Sequence, residues 1–237
     1  MPDRAAFVVD GFNLYHSIRD IERDAGLNCR WLNVWSLCES LVSSALGPGV
    51  SMDSVHYFSA LAHHTDPTGH GSVARHRVYR RALESSGITV HMGRFKKKTA
   101  SCAVFRQLAR SGSPPPACEK APGVPCNGRY TTWEEKETDV AMACKIMQLA
   151  LTDVCEHIVV VSGDTDLLPA IRQVRSLRPS LGVTVAFPYG RLRHNKDLAN
   201  AASSTLSITQ ALYVAHQFPD PYAPSCAGTP IAKPAGW

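Results

Sequence analysis

Four aspartates stand where a chain of this pattern places chemistry. Asp10 closes the apolar run Ala5-Ala6-Phe7-Val8-Val9, and Asp164 and Asp166 follow Val159-Val160-Val161-Ser162-Gly163. Asp139 lies near the start of an apolar-periodic stretch that runs through Val140, Ala143, Cys144 and Met147. Like charges drawn within a few ångströms raise one another's pKa unless a cation sits among them. A set of oxygen ligands without clustered His or Cys suits Mg²⁺ or Mn²⁺ rather than Zn²⁺. Read singly, an Asp after a strand only caps the next helix. Four that converge point instead to a divalent-cation site.

Convergence depends on the elements that carry them. Short apolar runs at 5–9, 54–59, 88–90, 158–161 and 183–187 read as strands. Helical spacing separates them, as in Leu14, Ile18 and Ile21, in Leu37, Leu41 and Ala45, and in Ile171, Val174 and Leu177. Asp166 is placed to cap the last of these helices, with Pro169 in its first turn. Alternation of this kind implies βαβ units, hence an α/β fold with a mostly parallel central sheet of about five strands and helices on both faces. In such a sheet sites form at the carboxyl ends of the strands, which is where Asp10, Asp164 and Asp166 fall. Thr132-x-x-Glu135 has capping-box spacing and predicts the start of the helix that bears Asp139. Between 94 and 131 the periodicity is lost in a Pro- and Cys-containing stretch, read as a surface insertion.

Three segments resemble the signature stretches of the NYN domain, a PIN-like nuclease family: Val8-Val9-Asp10-Gly11-Phe12-Asn13-Leu14, Glu135-Lys136-Glu137-Thr138-Asp139-Val140 and Val161-Ser162-Gly163-Asp164-Thr165-Asp166-Leu167. They occur in the family's order, from about Phe7 to about Tyr213. The resemblance implies a PIN-like three-layer α/β/α sandwich and metal-dependent hydrolysis of RNA. It also implies site roles for Asp10, Asn13, Asp139, Asp164 and Asp166, the four aspartates as metal ligands. Asn13, neutral and able to donate and accept, would orient a ligand or the scissile phosphate. Family members often carry a further acid before the last helix, where this chain has Ala201-Ala202-Ser203-Ser204-Thr205. A non-catalytic RNA-binding or scaffold module with a structural cation is the competing reading. Loss of catalysis would be expected to cost at least one carboxylate, and all are present. An aspartyl-nucleophile phosphatase would need Asp-x-Asp after the first strand, and Asp10-Gly11-Phe12 does not supply it.

Two basic runs follow strands on the side of the acids: Arg94, Lys96, Lys97 and Lys98, and Arg191, Arg193, His194 and Lys196. They are candidates for phosphate binding, with Phe95 and Tyr189 as candidate stacking surfaces, although a lysine run is commonly just a solvated face. His91, Cys102, Cys118 and Cys126 are a candidate structural Zn²⁺ set, against which stands the lack of any Cys-x-x-Cys pair. The 237 residues are 44% hydrophobic and 19% charged, with a net charge of +5 that mildly favours an anionic partner. One domain over 1–217 with a loose Pro-rich tail over 218–237 is expected. Eight cysteines are too dilute for a disulfide framework. With no apolar run long enough to span a bilayer and no basic-apolar leader, a cytoplasmic protein without membrane contact is expected. RNA is the expected partner, and a homo-oligomer is compatible with the sequence.

Overall fold

The computed structural model describes residues 3–65, 71–102, 117–118, 121–125, 128–191, 195–224 and 228–237. In chain order the elements are β1 (Asp3–Asp10), α1 (Gly11–Ala25), α2 (Val34–Leu41), β2 (Val50–Ala60), α3 (Ser72–Ser85) and β3 (Thr89–Ser101). Then come β4 (Ala117–Cys118), β5 (Ala121–Pro125), β6 (Arg129–Lys136), α4 (Thr138–Thr152), β7 (His157–Val161) and α5 (Leu168–Leu177). The last are β8 (Gly182–Phe187), α6 (Lys196–Ala201), β9 (Ser204–Ser207) and α7 (Gln210–Ala215). Seven strands form one sheet in the order β6-β3-β2-β1-β7-β8-β9, parallel throughout except for β6, and β4 pairs with β5 alone.

The sheet is thus mostly parallel, with seven strands where five were expected. The two additions at its rims are polar. Strand β6 reads Arg-Tyr-Thr-Thr-Trp-Glu-Glu-Lys and β9 reads Ser-Thr-Leu-Ser. Neither has the continuous apolar run that marks a strand buried on both faces. The expected insertion is narrower than 94–131. Its first residues prolong β3 and its last belong to β6, pairing antiparallel from Arg94 opposite Lys136 to Ser101 opposite Arg129. Thr132 and Glu135 therefore lie on a strand, and the helix begins only at Thr138. β-branched and aromatic residues at 131–133, given a partner strand, outweigh a capping-box spacing.

Two clusters of apolar side chains sandwich the sheet. Phe7, Val9, Val55 and Tyr57 face α1, α2 and α3 through Leu14, Leu37 and Leu83. Val8, Phe58, Ile158 and Val160 face α4 and α5 through Met142, Ile146 and Ile171. Of the Pro-rich segment after 217, Phe218 and Ile231 are buried against the first cluster. No helix among the described residues is long and apolar enough to cross a membrane.

From β1 the order runs outward to β2 and β3 on one side and to β7, β8 and β9 on the other. The carboxyl ends of β1 and β7 therefore flank the point at which the winding reverses, the crevice where α/β sheets bind ligands. Gly11 starts α1 there, packed too closely on β2 for a side chain. A Cβ on it would lie 2.5 Å from the Phe58 carbonyl oxygen and 2.6 Å from the Tyr57 ring.

Candidate metal centre

At the end of β1, Asp10 is buried and both its oxygens are engaged. Oδ1 accepts the Asn13 N–H at 2.9 Å, capping α1, and Oδ2 accepts the Ser162 hydroxyl at 2.8 Å. The Ser162 oxygen in turn accepts the Asp164 N–H at 3.0 Å, so one buried hydroxyl ties the carboxylate after β1 to the turn after β7. Asn13 crosses the same gap, its Oδ1 accepting the Gly163 N–H at 3.2 Å. Asp164 Oδ1 accepts the Asp166 N–H at 3.0 Å. Asp164, rather than Asp166, is thus the cap of this turn, because α5 starts only at Leu168, after a short 3-10 turn over Thr165–Leu167.

Asp139 reaches this edge from the first turn of α4. Asp139, Asp164 and Asp166 each offer a carboxylate oxygen, and the three atoms lie within 4.8 Å of one another. Asp10 stands beside this group rather than in it, and its field reaches Asp139. Burial above all, and then the charges of Asp164, Asp10 and Asp166, push the Asp139 carboxyl up. Burial does the same to Asp10, opposed by the hydrogen bonds from Asn13 and Ser162.

Sequence reasoning passed over a fifth acid. Glu135 on β6 accepts a hydrogen bond from the Thr138 hydroxyl, and burial, with Asp10 and Asp139 nearby, raises its carboxyl to about 7. Its signal was the alternation of Trp133 and Glu135 on one strand face, masked by the helix-start reading. Asn195 was also overlooked; together with His16 and Arg191, the latter expected as part of a basic run, it lines a groove of about 440 Å³ against Asp164. The Asn195 amide donates to the Gly163 carbonyl at 2.6 Å, and Arg191 is pinned to Asp20 at 2.9 Å. A Cβ on Gly163 would meet the Arg191 side chain at 2.9 Å.

The donor set fits a hard divalent cation: it is carboxylate oxygens only, and the neighbouring negative charges that help push the Asp139 carboxyl up are ones a positive charge would relieve. A family model described as the NYN domain matches residues 4–209, spanning Asp10, Asp139 and Asp164–Asp166. The chain belongs to the NYN domain family. NYN domains are nuclease-like, and the acid cluster of this one could bind metal. The 6-hydroxy-3-succinoylpyridine 3-monooxygenase HspA of Pseudomonas putida is 26% identical over 186 residues, covering 74% of this chain and 56% of that protein. This chain therefore spans just over half the length of that relative. A crystal structure of a Vibrio parahaemolyticus protein of unknown function shares the fold, with a TM-score of 0.51 and 15% identity over 88% of this chain and 94% of that one.

The other expected site residues are placed differently. Arg94 pairs with Glu137 at 2.6 Å and Lys98 with Glu134 at 3.0 Å, whereas Lys96 and Lys97 are exposed and form no ion pair with a described residue. Lys196 is exposed at the start of α6, and Arg193 and His194 lie outside the described residues. Of the four candidate zinc ligands, the two whose side chains are described, His91 and Cys102, are not brought together. His91 is near the start of β3 and Cys102 just past its end, about 35 Å apart at the rise of an extended strand. The Cys118 side chain and Cys126 lie outside the described residues.

Proposed function

We propose that this NYN domain is a metal-dependent ribonuclease that hydrolyses RNA phosphodiesters at the crevice between β1 and β7. The observation that supports this most is the gathering of Asp139, Asp164 and Asp166 oxygens within 4.8 Å, beside a buried Asp10. Asp139, Asp164 and Asp166 would hold Mg²⁺ or Mn²⁺, with Asp10 adding its charge through the Ser162 bridge. The cation would supply neutralisation of phosphate charge and acidification of a water near neutral pH.

The chain's own groups do the positioning. Ser162 fixes the spacing between Asp10 and the Asp164 backbone, and Asn13 locks α1 to the Gly163 turn. Asn195 holds the segment after β8 to the same turn, which keeps Arg191 at the groove wall beside Asp164, where a phosphate oxygen can meet it. Lys96 and Lys97, which form no ion pair with a described residue on the β3–β6 hairpin, would track the backbone of the strand being cut. The named monooxygenase activity of the Pseudomonas relative is a different chemistry. The acid cluster here is all carboxylate and does not match the two-histidine, one-carboxylate set of non-haem iron oxygenases.

Calorimetric titration with Mn²⁺ tests the assignment. The unaltered protein should bind, and Asp139→Asn and Asp164→Asn, each of which removes a charge at nearly constant size, should weaken binding at least about tenfold. Unchanged binding in both variants would place the cation elsewhere.

A further inference from the structure

On the sheet face opposite α4, between α1 and α3 and over the end of β2, lies a second cavity of about 400 Å³. It opens one residue beyond Asp10, at Gly11 and Phe12, but on the other side of the sheet from the Asp139 helix. Its walls are aromatic, built chiefly from Tyr15, Tyr57, Tyr79 and Trp237, with the Tyr79 and Trp237 rings 5.0 Å apart. Among the described residues its charge is all of one sign. Arg19, Arg30 and Arg75 line it, and no Asp or Glu side chain does among the described residues.

These guanidinium groups are not equivalent. Arg30 is matched by Glu22, with both oxygens 2.7 Å from one nitrogen, and Arg19 reaches the same Glu22 at 3.3 Å. Arg75 differs in pairing with no acid among the described residues, and its Nε, like that of Arg30, is a buried donor without an acceptor. An under-satisfied cation in an aromatic cavity is costly unless an anion completes it. Neutral polar groups are present too: Ser59 Oγ lies 3.3 Å from His76 Nε2 at the cavity wall. Burial lowers the His76 pKa to about 4, so the imidazole adds no charge near neutrality.

We propose that this cavity is a binding site for a planar aromatic ring carrying one anionic group, the ring between the Tyr15, Tyr79 and Trp237 side chains and the anion on Arg75. Flat rings gain from offset and edge contacts with aromatic walls, and a guanidinium takes a carboxylate or a phosphate in its planar fork. The volume lies in the range of small-ligand pockets. Two sources share this chemistry: a free aromatic carboxylate, and a nucleoside monophosphate or the equivalent end of a nucleic acid.

Calorimetry on the full chain tests the site with two series of probes. One pairs benzoate and nicotinate with their uncharged amides, and the other pairs nucleoside 5′-monophosphates with the parent nucleosides. The expected result is one binding event per chain in one series, with the uncharged member at least about tenfold weaker, since a charge-assisted contact is lost. The series that binds identifies the source. Arg75→Met should weaken that binding at least about tenfold and Tyr15→Ala should weaken it measurably, with unchanged circular dichroism. Arg75→Gln serves as the charge-removing variant should Arg75→Met fail to fold. Asp164→Asn, on the opposite side of the sheet, should leave the affinity unchanged. Binding by neither series, equal binding of the uncharged members, indifference to the arginine variant, or loss in Asp164→Asn would each overturn the proposal.

Discussion

Ser162 does more than its size suggests. It is fully buried, donates to Asp10 and accepts from the Asp164 backbone, so Ser162→Ala leaves a buried carboxylate oxygen and a partly buried N–H each short of a partner. A cost of ~1–3 kcal/mol in urea unfolding is expected, together with weakened Mn²⁺ affinity, because the spacing of two acids is released. A variant as stable and as tight as the parent would show the bridge to be incidental. Glu135 gives a second test. Its carboxyl rises on folding from about 4.5 to about 7, chiefly through burial. A pKa raised in the native state favours the protonated form there. The associated stabilisation is complete below the unfolded value and is lost as pH climbs through the folded one. In EDTA the parent should therefore lose stability relative to Glu135→Gln between about pH 5 and about pH 7.5, whatever slope the buried histidines give to both proteins. A difference between the two melting midpoints that does not change with pH would contradict this origin.

The elements divide by how their surfaces are solvated, and so does what the sequence makes legible. Strands β1, β7 and β8 are largely apolar runs buried on both faces, as is the end of β2, and their ends could be read directly, which is why Asp10, Asp164 and Asp166 were found at one edge. The β3–β6 hairpin is lysine on one strand and threonine and glutamate on the other, so no apolar signal marks it, and Glu135 was lost with it. The pairing of His91 with His56 at 3.3 Å was equally invisible, since it joins β2 to β3 across 35 positions. The hairpin also refines which cations are free. Lys96→Ala with Lys97→Ala should reduce the log–log salt slope of single-stranded RNA binding by ~1.4, at ~0.7 per phosphate contact. Arg94 and Lys98, already paired with Glu137 and Glu134, should contribute less. An unchanged slope in the double variant would return the run to solvated surface. Where β1 gives way to α1, Gly11→Ala should destabilise by ~1–3 kcal/mol in denaturant unfolding, because the added Cβ meets a carbonyl oxygen and a buried ring rather than a movable chain end.

Across the whole molecule, the parallel sheet brings to one crevice residues that are more than 120 positions apart in sequence, and a buried hydroxyl and an amide hold them there. The opposite side of the same sheet end carries a cationic, aromatic cavity, so the two faces offer unlike surfaces to anionic ligands. Water-driven hydrolysis at the carboxylate crevice differs in its products from attack by the neighbouring 2′-hydroxyl, which uses protein acid and base groups and leaves a cyclic phosphate. End-group analysis of a labelled single-stranded RNA, incubated with the purified protein in Mg²⁺ or Mn²⁺, reads that difference. Products with 5′-phosphate and 3′-hydroxyl ends, abolished by EDTA and by Asp164→Asn, are the expected result. Cyclic-phosphate ends that persist in EDTA, or intact RNA under every metal, would contradict it.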